Sequence, residues 1–191
     1  VTRLFFAVNL PLSIKQQLAF LQSVLQDKGF TAHNWTSPLL FHVTLVFLGE
    51  QEDSLRPFLM QVSREVAGMH TPFTMNLSSL DAFSKKRVLW VGLAPNEGLL
   101  RLQGLQSALT QSLAKRFPLE REQQPYCPHI TLARQSARDC IHHLDDYHSL
   151  ARKILTESEF PVSSFCLFAS TRLEGQLAYP VLAQFPLVKS L

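Results

Sequence analysis

The four-residue word His-x-Thr-Leu occurs twice, as His42-Val43-Thr44-Leu45 and as His129-Ile130-Thr131-Leu132. Successive side chains of a strand point to opposite faces. An extended backbone therefore sets His42 with Thr44 on one face and Val43, Leu45 and Phe47 on the other. In the second copy His129 and Thr131 share a face, with Ile130 and Leu132 behind them. Two such strands lining one cleft supply a pair of imidazoles, one to take a proton and one to give it. An imidazole with an unperturbed pKa of about 6.5 serves either role near neutral pH. That is general acid–base catalysis without a metal. Thr44 and Thr131 set a hydroxyl beside each imidazole, on the same strand face.

A single His-x-Thr is commonly a surface pair or a satisfied, half-buried histidine. The weight of this reading comes from where the two copies fall. A strand at 3–9 leads past Pro11 into a helix whose Ile14, Leu18, Leu21 and Leu25 recur at three- and four-residue steps, with Gly29 just past its end. A loop carrying Trp35 and Pro38 delivers the first His strand, 41–48, which is expected to stop at Gly49. A helix at 53–67 follows, with Pro57 in its first turn, and then a hairpin of strands 73–80 and 87–93 around Ser84-Lys85-Lys86. The order then recurs: a helix at 98–116, the second His strand at 129–134, a helix near 144–156, and strands near 162–170 and 177–186. Each half reads as an α+β unit with its helix on one sheet face. The predicted fold is α+β and bilobal, with pseudo-two-fold symmetry. Two antiparallel β-sheets face a central cleft, helices pack outside, and residues 1–191 form one domain with both His strands at the lobe junction.

Composition narrows the class. Of 191 residues 46% are hydrophobic and 17% charged, which is globular rather than disordered. The net charge of +3 suits an anionic substrate. Three cysteines without Cys-x-x-Cys spacing argue against a disulfide framework and a structural zinc site. No apolar run reaches membrane-span length and the opening residues do not read as a signal peptide, so a cytoplasmic protein without membrane association is expected, and a monomer.

Other side chains were weighed against these histidines. His42 and His129 supply two nitrogens where a catalytic zinc usually takes three protein ligands, and no carboxylate or thiol pattern completes a site around His142, His143 and His148. No metal and no cofactor is expected. Cys127 falls two residues from His129, a poor placement for attack on a shared substrate. Arg134 is a candidate phosphate contact, but its odd offset from His129 turns it away from the cleft unless a strand end or bulge intervenes. Trp35, Phe41 and Tyr126 can stack a base or pack the cleft walls. Lys85, Lys86 and Arg87 read as a solvated turn that can also touch RNA backbone.

The chain resembles the 2H phosphoesterases, and within them the RNA 2′,3′-cyclic phosphodiesterases, also called 2′-5′ RNA ligases. The resemblance runs over nearly the whole length. It is carried by Arg3-Leu4-Phe5-Phe6-Ala7-Val8, by the first motif within its Trp35-to-Glu50 surround, by Pro128 through Arg134, and by Leu173-Glu174-Gly175, Tyr179 and Phe185-Pro186-Leu187. It implies metal-independent opening of a 2′,3′-cyclic phosphate at an RNA 3′ end to leave a 2′-phosphate, with His42 as proton donor, His129 as proton acceptor, and Thr44 and Thr131 donating hydrogen bonds to the non-bridging phosphate oxygens, where negative charge builds. It also implies ATP-independent, reversible 2′-5′ joining when an RNA 5′-hydroxyl replaces water. The expected partners are RNA ends, tRNA halves among them, or nucleotides. Two alternatives stay open: a phosphodiesterase for a small nucleotide or 2′-5′ oligonucleotide, and a non-catalytic nucleotide- or RNA-binding module.

Overall fold

The computed structural model describes residues 1–115, 125–156 and 158–188. The first elements are β1 (Thr2–Asn9), α1 (Leu12–Asp27), β2 (Ala32–Trp35), β3 (His42–Gln51), α2 (Arg56–Ala67), β4 (Phe73–Phe83), β5 (Val88–Leu93) and α3 (Glu97–Ala114). Then come β6 (His129–Ser136), α4 (Arg138–His142), α5 (Asp145–Leu155), β7 (Glu159–Val162), β8 (Ser164–Leu173), β9 (Gln176–Ala178) and β10 (Val181–Pro186).

The helices form where apolar residues recur at helical steps. α1 buries Ile14, Leu18, Leu21 and Leu25, and the chain leaves it through Gly29 at φ +89°. α2 carries Pro57 in its first turn, where a missing N–H costs little, and buries Leu59, Val62 and Val66. α3 opens on Asn96, whose side-chain oxygen accepts from the Leu99 N–H. Gly98 is required there, because a Cβ would come within 1.9 Å of the Thr74 carbonyl oxygen. Leu102, Leu105, Leu109 and Leu113 then bury one stripe of α3 fully, each contributing about 1.5–3 kcal/mol. The expected end of this helix at 116 lies outside the described residues.

The strands assemble into two antiparallel sheets. One has the order β10-β8-β1-β3, with β9 paired to β8; the other runs β2-β6-β5-β4-β7. The sheets do not follow the sequence halves. β1 lies between β3 and β8, so strands from both ends of the chain share the first sheet, while β2, β4 and β5 pair with β6 and β7 in the second. The Leu4–Val8 run of β1 is buried on both faces as well as paired on both edges, a requirement no single half meets. The expectation of one self-contained α+β unit per half is corrected accordingly.

Several elements differ from the sequence reading. Trp35 sits in the short strand β2, not in a loop, and α4, β7 and β9 were not anticipated. β3 runs on through Gly49, which takes φ +69° at a register shift instead of ending the strand. Among the described residues no helix is long and apolar enough to cross a membrane.

One face of the first sheet, with Leu4, Phe6, Val8, Val43 and Leu45, joins the main core. Its other face carries a separate cluster of Phe5, Ala7, Cys166 and Phe168, against which Tyr179 packs. This second face is the one His42 shares, since Asn9, Ala7 and Phe5 pair with His42, Thr44 and Phe47.

Candidate active site

β3 is the edge strand of the first sheet, β6 lies inside the second, and the two approach each other where the sheets meet. The twin motifs thereby face one cleft. The His42 ring lies 5.1 Å from Phe5 and 6.3 Å from Phe168, with Tyr179 edge-on at 5.4 Å. His129 has Phe83 edge-on at 5.0 Å and Trp90 at 5.8 Å. Each imidazole is anchored alike, through Nδ1 to the carbonyl two residues before it: Leu40 at 2.6 Å for His42 and Cys127 at 2.8 Å for His129. In the neutral ring that bond fixes the proton on Nδ1 and leaves Nε2 as the basic atom. The Nε2 of His42 lies 3.1 Å from Thr44 Oγ1, whose hydroxyl donates to it in this tautomer.

Burial governs the charge on both rings. His42 is lowered to about 4, by burial first, with the Leu40 carbonyl pulling the other way and the nearby Lys15, His129 and Arg134 adding to the lowering. His129 is lowered as well, by burial first and by Arg134 and Lys86 after it, while the Cys127 carbonyl pulls the other way. Both imidazoles are therefore neutral in the empty cleft at neutral pH. An anion held beside the rings would favour their protonated form and raise both values. The profile of kcat/KM reports the free enzyme. Its bell is expected to centre below 6.5, the ordinary histidine value. The kcat profile, which reports the bound state, should lie at higher pH. Rates measured from about pH 4 to pH 9 under both conditions check this, and a kcat/KM bell centred above 6.5 would contradict it.

A bulge follows each motif at the same place. In β3, Ala7 pairs with Thr44 and Phe6 with Val46, leaving Leu45 as the extra residue. In β6, Trp90 pairs with Thr131 and Leu89 with Ala133, leaving Leu132 extra. An inserted residue reverses the alternation beyond it. Leu45 and Val46 are accordingly both buried, as are Leu132 and Ala133. Phe47, expected on the core side, instead faces the cleft, 62% exposed and 6.1 Å from Phe5. Arg134 is turned to the cleft by the same device, and its charge is felt by His42, His129 and Tyr179. The second bulge is braced from behind. The buried Gln22 of α1 donates through Nε2 to the carbonyls of Leu132 at 2.8 Å and Thr36 at 2.9 Å. The symmetry thus ends at the position five residues after each histidine, aromatic on one side and cationic on the other.

The other sequence candidates fall in different places. Trp35 packs against the core, edge-on to Phe30 at 6.0 Å. Phe41 is 1% exposed, because it precedes His42 and so takes the core face; it is not open for stacking. Tyr126 donates from its hydroxyl to the Thr44 carbonyl at 2.8 Å, tying the segment before β6 to the first motif. Thr131 stands half-buried opposite Trp90. The Cys127 thiol is pushed up by burial and by Asp81, away from the thiolate form. His143 bonds the Asp139 carbonyl at a helix end, and His148 pairs with Asp145. Among the described residues no group of three His, Cys, Asp or Glu side chains is placed to hold a metal ion. Phe5, Phe83, Trp90 and Phe168 line the histidines, and the sequence reading assigns none of them to the cleft. Phe5 and Trp90 belong to continuously apolar strands, where periodicity does not tell cleft face from core.

The chain was compared with known proteins. The family described as the 2′-5′ RNA ligase superfamily matches residues 16–174. The RNA 2′,3′-cyclic phosphodiesterase of Thermus thermophilus is 30% identical over 191 residues, covering 97% of this chain and 90% of that protein. The protein of the same name from Escherichia coli is 26% identical over 192 residues, covering 98% and 97%. Among solved structures, E. coli LigT complexed with 3′-AMP superposes with a TM-score of 0.75 at 25% identity, covering 98% of this chain and 99% of that one. With both motifs on one cleft, the shared fold and a match across most of its length, the chain belongs to the 2′-5′ RNA ligase superfamily.

Proposed function

We propose that this protein hydrolyses 2′,3′-cyclic phosphates at RNA 3′ ends to 2′-phosphomonoesters, by acid–base catalysis from His42 and His129. The observation that carries the reading is the matched anchoring of the two imidazoles, each held by Nδ1 at a carbonyl two residues back so that Nε2 is the basic atom, which in His42 accepts from Thr44 Oγ1. The names of the relatives support the substrate class.

In this mechanism His129 Nε2 takes a proton from water as the oxygen attacks phosphorus. The bond from phosphorus to the 3′-oxygen breaks on the opposite side, and the protonated His42 gives its Nε2 proton to that oxygen. The 2′-ester remains, and the two imidazoles exchange protons with solvent to reset. Thr44, Thr131 and Arg134 bind the non-bridging oxygens, Arg134 with two parallel N–H donors. Phe47, exposed on the cleft face, offers a platform for the terminal base, worth about 1–3 kcal/mol where stacking occurs. When an RNA 5′-hydroxyl replaces water the same steps join two ends by a 2′-5′ bond. The cyclic ester carries its own leaving group, so no ATP enters, and hydrolysis prevails unless two ends, such as tRNA halves, are held together.

The test is an end-labelled RNA oligonucleotide ending in a 2′,3′-cyclic phosphate, with the same RNA ending in a linear 3′-phosphate beside it. The cyclic end should become phosphatase-sensitive and the linear one should stay unchanged. Addition of a 5′-hydroxyl RNA without ATP should give a minor joined product. An untouched cyclic end would refute the hydrolytic reading.

A further inference from the structure

Outside the cleft, the β4–β5 turn and α4 border a concavity of about 80 Å³ lined by Ser84, Lys85, Arg87, Arg138, Ile141 and His142. Three fixed cations and an imidazole border it, and no carboxylate is among its lining residues. Among the described residues none of Lys85, Arg87 and Arg138 forms an ion pair. Like charges gathered without partners repel one another, and an anion is what such a grouping favours.

The walls are tied together by the backbone. The Arg87 N–H donates to the Ser84 carbonyl at 3.2 Å, and the Ser136 N–H donates to the Arg87 carbonyl at 3.0 Å. Arg87 itself takes φ +51°, a strained value for a non-glycine residue, and its guanidinium reaches the Ser136 carbonyl at 3.5 Å. Ile141, 8% exposed, gives the concavity an apolar floor.

Its position relative to the cleft gives it meaning. The turn follows directly on Phe83, whose ring meets His129, and the charge of Lys86 in that turn reaches His129. β6 begins at His129, presents Arg134 to the cleft and ends at Ser136, two residues before Arg138. At about 3.3 Å per residue that strand spans roughly 23 Å, with Arg134 in its second half and Arg138 just past its end. The row runs outward from where the terminal phosphate would sit.

We propose that this concavity is a second phosphate subsite, holding a backbone phosphate of the RNA upstream of its cyclic end. The proposal rests on the reading of the cleft as an RNA-end hydrolase. Substrates long enough to reach the concavity bind more tightly, whereas a cyclic mononucleotide gains nothing from it.

The experiment compares the full chain with the Lys85→Gln/Arg138→Gln double variant, both exposed side chains outside the catalytic cleft. Each is assayed on adenosine 2′,3′-cyclic phosphate and on a ten-nucleotide RNA with a cyclic end. Binding of the same RNA ending in a 2′-phosphate is read by fluorescence anisotropy over a range of salt. In the parent, KM should be about tenfold lower for the long RNA than for the mononucleotide. The variant should lose most of that advantage with mononucleotide kinetics unchanged, and its log Kd against log salt slope should fall by about 0.7 for each phosphate no longer held. A length-independent KM in the parent, or parental affinity for the long RNA in the variant, would overturn the proposal. Competition by inorganic phosphate that needs Lys85 and Arg138 while RNA length has no effect would identify free phosphate as the ligand, and also overturn it. If the parent turned over neither substrate, the hydrolytic reading would fail, while the binding arm would still decide the subsite.

Discussion

Replacing either His42 or His129 with alanine should lower kcat by about 10²–10⁴-fold, the usual contribution of a positioned acid or base. The two losses should not add, because proton removal and proton delivery belong to one displacement, and the double variant should be little worse than either single one. The two variants should differ in pH dependence. Without the base, His129→Ala loses the acidic limb of the bell; without the acid, His42→Ala loses the alkaline limb. Melting curves check that neither change acts by unfolding the protein. Parental rates from either variant would remove the paired mechanism, and exchanged limbs would reverse the assignment of acid and base.

Arg134→Ala should cost about 10²–10³-fold in kcat, with kcat/KM falling in parallel, as for loss of a charge-stabilising group in the transition state. Arg134→Lys should recover only part of this, since a lone ammonium does not reproduce the planar two-point contact. A raised KM at parental kcat would instead make Arg134 a ground-state binding residue. The expectation depends on the bulge at Leu132: with regular alternation Arg134 would face away from the histidines, and its substitution would be neutral.

How much of this was legible in the sequence depends on range. The paired histidine motifs and the long helices were, because His-x-Thr repeats literally and because Ile14, Leu18, Leu21 and Leu25, or Leu102, Leu105, Leu109 and Leu113, mark their helix faces by spacing alone. The bulges were not. Leu45-Val46 and Leu132-Ala133 are apolar pairs that fit a regular strand equally well, and only the pairing with β1 and β5 makes one member of each strand an extra residue. Phe47 was therefore set on the wrong face, and Arg134 was left conditional on an irregularity that the chain does contain. The exchange of strands between halves was hidden for a related reason: periodicity states which face of β1 is apolar, not which strands lie at its edges. The short strand β2 gave no alternation to read, and it forms because its backbone completes the edge of β6.

Metal-independent opening of the ring at the 3′-oxygen leaves a product that identifies it. An RNA ending in a 2′,3′-cyclic phosphate is incubated with the protein in excess EDTA and ¹⁸O-labelled water, and the terminal phosphate is examined by ³¹P NMR and mass spectrometry. The expected product is a 2′-phosphomonoester carrying one labelled oxygen. A 3′-phosphate, or no reaction until a divalent ion is added, would contradict it.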